Sequence, residues 1–192
     1  MILVIDNFDS FTWNLIDYIE RSGEKTQVLR NNISLKNISL KNITGIVLSP
    51  GPGTPLSSGF LLDYIHVFKS QLPILGICLG HQAIGTYFGA SLVKSPMPVH
   101  GKISRISCNV SHPLFKNFPP QFSAVRYHSL LIENLPLALE PIAKTEEGLI
   151  MAIAHKTLPI FGVQFHPEAF LTEKGENIIQ NWVKLCQNLV VE

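Results

Sequence analysis

The sequence predicts an α/β fold: an open, mostly parallel sheet with helices on both faces, joined by a few antiparallel strands. Three observations carry this. The first half alternates short apolar runs with segments whose apolar residues recur at helical spacing. The second half replaces that rhythm with short runs separated by Pro, Asn and Gly, as in antiparallel pairs. No Pro-, Gly- or Ser-rich linker divides the chain, so residues 1–192 are expected to form one domain.

Taken in order, residues 1–6 ("MILVID") read as a buried strand. Residues 11–21 place Phe11, Leu15, Tyr18 and Ile19 on one face of a helix. Asp9 and Ser10 precede it as capping residues. Residues 27–30 and 45–49 read as strands, 59–70 as a helix, 73–78 as a strand and 81–88 as a helix. Between Asn32 and Thr44, "ISLKNISLKNIT" holds a five-residue near-repeat, too short for a solenoid unit and read as a surface connection with a helical turn. Strands follow at 91–93, 102–107, 123–127 and 149–154. The apolar run "PIFGVQFHPE" is read as a strand continuing to His166-Pro167-Glu168, and 173–189 as the last helix, with Ile178, Trp182, Leu185 and Leu189 on one side.

Composition narrows the function classes. With 46% hydrophobic and 15% charged residues, the chain suits a compact fold that buries roughly 70% of its unfolded surface. A net charge of +1 without basic or acidic blocks argues against nucleic acid and membrane surfaces as partners. The initial apolar run lacks the basic flank and cleavage site of a signal peptide, and no run approaches a membrane span. Cys78, Cys108 and Cys186 are too few and too scattered for a disulfide or zinc framework, so a cytoplasmic setting is expected. The sequons at Asn32, Asn37, Asn42 and Asn109 have no use without secretion.

The chemistry-bearing stretch is "PILGICLGHQ", residues 73–82. Gly76-Ile77-Cys78-Leu79-Gly80 has the G-x-nucleophile-x-G form of a sharp strand-to-helix turn. Such a turn exposes the central side chain at the carboxyl edge of the sheet, beside a helix N-terminus whose partial charge attracts anions. The competing reading is a small core residue, the usual fate of a free cysteine. A nucleophile needs a base, and His166 at the end of its apolar run is the best placed. If the segment stays extended, Glu168 two residues on shares its face and can orient the ring. A third element, "LSPGPGTP" at 48–55, is a rigid loop whose amides can approach an oxyanion, together with the amide of Leu79. It lacks the Lys-[ST] ending of a phosphate-binding loop. No metal-ligand spacing and no G-x-G-x-x-G accompany it, so no metal or cofactor is expected.

These stretches, with "DNFDSFTWNL", "HGK" at 100–102, "RYHSL" at 126–130 and "VQFHPE", resemble the triad-type (class I) glutamine amidotransferases over nearly the whole chain. Within them, the likeness is to the small subunits of anthranilate synthase and of aminodeoxychorismate (para-aminobenzoate) synthase. The resemblance implies the class I amidotransferase fold, with its flavodoxin-like core. It implies Cys78, His166 and Glu168 as a catalytic triad and the amides of Gly51 and Leu79 as the oxyanion hole. Gly51, Pro52, Gly53, Gln82, Ser129 and Leu130 would bind glutamine. Attack by Cys78 would form a γ-glutamyl thioester and release ammonia to a larger, chorismate-binding synthase subunit, which would hold the Mg²⁺.

Several readings stay open. The tryptophan and folate pathways, or both, fit equally. A free-standing cysteine hydrolase on a related sheet is the alternative, but it has no need of "SPGPGTP" with "RYHSL". His81 is a site residue or a support for its backbone, His128 a satisfied core histidine or more, and 100–102 a partner contact or a solvated turn. Cys108 and Cys186 are taken as structural. The chain departs from the family at Ala169, where these subunits usually carry Ser, which removes a hydroxyl beside Glu168.

Overall fold

A computed structural model describes residues 1–34 and 41–189. Residues 35–40 of the near-repeat stretch, including Asn37, lie outside the described residues. Among the described residues the strands form one nine-stranded sheet. Its first five strands are β1 (Ile2–Asp6), β2 (Thr26–Arg30), β3 (Gly45–Leu48), β4 (Ile74–Ile77) and β9 (Ile160–Val163). The rest are β5 (Ser91–Cys108), β6 (Gln121–Glu133), β7 (Leu139–Thr145) and β8 (Ile150–His155). The order is β2-β1-β3-β4-β9-β8-β7-β5-β6. From β2 to β9 neighbours pair parallel, and from β9 to β6 they pair antiparallel. The expected parallel core with antiparallel additions is therefore present.

Strand alternation builds two cores. On β1, Ile2 and Val4 join a cluster with Leu15 and Ile19 of α1 (Thr12–Arg21) and with Ile178 and Trp182 of α4 (Gly175–Leu189). Leu3 and Ile5 turn the other way, onto Leu61 and Tyr64 of α2 (Leu61–Phe68) and Leu79 and Ala83 of α3 (Leu79–Phe88). A period of two on the strands meets a period near four on the helices, which covers both sheet faces.

The structure corrects several boundaries. The strands expected at 91–93 and 102–107 are one strand, β5. Pro96 and Pro98, which cannot donate to a ladder, fall within a register shift between Lys94 and Val99, and Gly101 at φ 67° falls within a second. β6 extends beyond the expected 123–127 on both sides. β7 was not expected: Pro141 hides its strand pattern and sits at a register shift. The run toward Glu168 leaves the sheet at Val163, and residues 164–168 bend away from it. The first helix has no side-chain cap. Asp9 instead accepts the Phe11 N–H at 2.8 Å, while Asp6 takes the Thr12 hydroxyl at 2.9 Å and the Phe8 N–H at 3.1 Å. Ser10 makes no capping bond.

Candidate active site

Three neighbouring parallel strands, β3, β4 and β9, end at the same edge of the sheet. Residues 49–54 leave β3, Cys78 leaves β4, and residues 164–168 leave β9. This topology brings residues 49–54, Cys78 and residues 164–168, distant in sequence, to one rim, where open α/β sheets place ligands.

Cys78 sits between β4 and α3 at φ 50°, ψ −98°, a conformation rarely adopted by residues with a side chain. The turn is over-determined by its neighbours. A Cβ on Gly76 would run into the backbone of Gly80, and a Cβ on Gly80 into the Leu48 carbonyl. Only glycine lets helix and strand approach so closely. The Cys78 sulfur remains largely covered, donating toward the Tyr127 carbonyl at 3.9 Å and accepting from Nε2 of Gln164 at 3.6 Å.

His166 and Glu168 are both buried, and Nδ1 of the ring lies 2.5 Å from Oε1 of the carboxylate. The expected pairing is present, but a bend after β9 creates it rather than an extended strand. The backbone is pinned on both sides. The His166 N–H donates to the Val125 carbonyl at 3.0 Å, and the Thr172 hydroxyl donates to the His166 carbonyl at 2.6 Å. The Tyr127 ring packs edge-on against the imidazole at 5.4 Å and that of Phe11 at 6.1 Å. Burial works to lower the pKa of His166, but hydrogen bonding and charge from Cys78 and Glu168 outweigh it, holding the ring well above the usual histidine value. Nε2 makes no hydrogen bond of its own yet is close enough for the sulfur to act on the ring. A long base–nucleophile approach is common before substrate is bound. Oε2 of Glu168 also lacks a partner, and Ala169 beside it offers no hydroxyl.

Above the sulfur lies a cavity of about 180 Å³ lined by Gly51, Pro52, Gly53, Cys78, Gln82, His100, Tyr127, His128, Ser129 and Leu130. All six residues expected to bind a small molecule thus line one cavity with Cys78. Gly51 is packed against Asn7, whose Cβ would lie 2.5 Å from an added Cβ. Leu79 is the first residue of α3, so its N–H has no partner within the helix. His166 and Glu168 are buried and do not line this cavity.

The sequence missed Gln164, Tyr127 and the placement of His128. Gln164 was legible as a polar residue inside an apolar run, the informative exception in burial patterns. Nε2 of His128 accepts from Nε of Arg126 at 3.0 Å, so that nitrogen carries no proton. Burial, then the positive charge of Arg126, pushes the His128 pKa down to about 3. His81 is fully buried and neither ring nitrogen is partnered; burial pushes it down to about 4, with the backbone of Gly162 offsetting little of this. The other thiols are unsuited to ionise. Burial raises Cys108, which donates to the Pro119 carbonyl at 3.4 Å, to about 11 and also raises Cys186. Among the described residues, no helix is long and apolar enough to cross a membrane.

Comparison with known proteins follows the same lines. The family model for "Glutamine amidotransferase class-I" matches residues 3–186. Anthranilate synthase component 2 of Azospirillum brasilense is 44% identical, covering 98% of each chain. Aminodeoxychorismate/anthranilate synthase component 2 of Bacillus subtilis is 41% identical over the full length of both. The crystal structure of a Thermoplasma acidophilum protein, described as one subunit of a GMP synthase, superposes with a TM-score of 0.89 at 31% identity, covering 99% of this chain and 95% of that one.

Proposed function

Because the chain belongs to the class I glutamine amidotransferases, we propose that it is the glutamine-hydrolysing subunit of a chorismate-aminating synthase, with residues 1–192 acting as one amidotransferase domain. The observation that carries the reading is the Cys78–His166–Glu168 arrangement behind the cavity. A strained turn presents the sulfur, and Cys78 acts on a buried imidazole whose Nδ1 is fixed by a carboxylate and whose Nε2 is left without a hydrogen-bond partner.

The chemistry follows from these positions. His166 takes the thiol proton on Nε2, with Glu168 stabilising the resulting imidazolium through Nδ1. The sulfur attacks the carboxamide carbon of glutamine, and the oxygen that gains charge is met by the amides of Gly51 and Leu79. Nε2 returns its proton to the departing nitrogen, so ammonia leaves and a γ-glutamyl thioester remains on Cys78. Water then attacks the thioester, giving up a proton to Nε2. Collapse releases glutamate and regenerates the thiol. Gly51, Pro52, Gly53, Gln82, Ser129 and Leu130 hold the substrate's other groups.

The relatives named component 2 imply a component 1, and we assign ammonia delivery to such a larger subunit, which would bind chorismate and Mg²⁺. Relatives carry both anthranilate and aminodeoxychorismate names, which supports service to the tryptophan pathway, the folate pathway or both. The free-standing hydrolase is not favoured by these likenesses. The test is Cys78→Ser assayed with the partner synthase and chorismate. Glutamine-dependent amination should disappear and ammonia-dependent amination should persist; loss of both, or of neither, would contradict the division of labour. Product analysis for anthranilate and aminodeoxychorismate in the same assay identifies the pathway.

A further inference from the structure

A chain of three hydrogen bonds behind the cavity fixes the orientation of two side-chain amides. Nε2 of Gln82 lies 3.1 Å from the Leu130 carbonyl and 3.2 Å from Oε1 of Gln164. A backbone carbonyl can only accept, so the Gln82 atom facing it must be the nitrogen. That nitrogen has two N–H groups, and the second meets Gln164, whose facing atom must then be oxygen. The other end of the Gln164 amide, its NH₂ group, is thereby directed at Sγ of Cys78, 3.6 Å away. Gln164 is fully buried, and its backbone N–H is anchored on the Met151 carbonyl at 2.8 Å. It cannot swing out to water.

We propose that Gln164 is a positioning residue of this site: its amide N–H steadies the Cys78 sulfur in its anionic form, and its Oε1 locks Gln82 so that only the Gln82 oxygen remains to meet substrate. The proposal rests on the glutaminase reading above and deepens it. A charged sulfur forms as His166 takes the thiol proton and forms again as the thioester collapses. At both moments a fixed donor is worth more than in the neutral thiol, because hydrogen bonds to charged groups are the stronger ones. The locked Gln82 has spent both its N–H groups on protein, so it offers an acceptor alone. The substrate group that meets it is therefore a donor, an amide NH₂ or an ammonium.

The experiment compares Gln164→Met, close in size but without donor or amide oxygen, with Gln164→Glu, which keeps an acceptor for Gln82 but places oxygen at the sulfur. In the purified chain, iodoacetamide modification of Cys78 at neutral pH should slow about tenfold or more in both, with the pH profile of alkylation moved upward. With the partner synthase, kcat for glutamine should fall by a similar factor in both. KM should rise in Gln164→Met, where Gln82 is released, and hold in Gln164→Glu. A residue that only fills space would lower the melting temperature and leave the alkylation profile and the KM–kcat split unchanged; that result overturns the proposal. Should one variant fail to fold, the other carries the alkylation test. If wild-type protein with its partner turns over no glutamine, the glutaminase reading fails instead, and alkylation still reads the effect of Gln164 on the sulfur.

Discussion

Lowering the pH from 6 to 5 should cost this protein about 2 kcal/mol of folding stability, and His81→Leu should remove nearly half of that dependence. His81 and His128 are buried, and the cost of desolvating the charged rings outweighs the backbone contacts to Gly162 and Leu130 that favour them, so their pKa values fall to about 4 and about 3. In the unfolded chain both return to the ordinary value near ~6.5. Below that value the unfolded state binds protons that the folded state refuses, so stability is lost as pH falls. Each such proton contributes about 1.4 kcal/mol per pH unit once the unfolded ring is fully charged. Across this interval the two unfolded rings are mostly protonated, which gives about 2 kcal/mol together. His112 and His155, also lowered by burial, add in the same sense.

His166 has the opposite sign. Its pKa is raised in the fold, so its stabilisation is complete below the unfolded value and is lost only as pH rises through the folded one. It leaves the slope between pH 6 and 5 almost untouched. Leucine at 81 replaces a ring with no hydrogen-bond partner by an apolar side chain of similar size, so stability at pH 7.5 should be equal or higher. Urea unfolding at pH 7.5, 6 and 5 reads all three numbers. A wild-type stability that is flat between pH 6 and 5, or a His81→Leu slope equal to wild type, would refute the reasoning.

Other expectations concern the site. Glu168→Gln should lower kcat for glutamine by about 10²–10⁴-fold. It should also bring down the titration of the His166 ring, read by NMR, because burial is then opposed by Cys78 alone. His166→Ala should slow alkylation of Cys78 near neutral pH; an unchanged rate would remove His166 as the base. Gly80→Ala drives a Cβ into the Leu48 carbonyl and should cost about 3 kcal/mol, seen as a lower urea midpoint with lost glutaminase activity. Glutaminase activity of the isolated chain should be low and rise when the larger subunit is added, measured as glutamate release; equal rates with and without it would favour a free hydrolase.

The parallel half of the fold was legible because β1, β3, β4 and β9 are short apolar runs, each followed by a helix before the next strand or the end of the described chain. The antiparallel half was legible only in fragments. Pro96, Pro98 and Pro141 interrupt strand patterns locally, and the structure absorbs them as register shifts rather than chain breaks. Cys78 announced itself through Gly76 and Gly80, since backbone approach at the turn leaves no room for other residues. The pairing of His166 with Glu168 was expected from strand geometry and is reached through a bend, because the sheet ends at Val163. Gln164 escaped notice because its partner Gln82 is far away in the chain and only the fold brings the two together, whereas His128 shares a strand face with Arg126 two residues before it, and the choice between its two readings depends on burial that spacing does not encode.

The central claim is covalent chemistry at one sulfur, and trapping the intermediate tests it most directly. Wild-type protein and its synthase partner, given radiolabelled glutamine and quenched in acid, should carry label on the peptide containing Cys78. Cys78→Ser should carry none and release no glutamate. Turnover of glutamine without label ever reaching Cys78, or undiminished glutamate release by Cys78→Ser, would contradict the account.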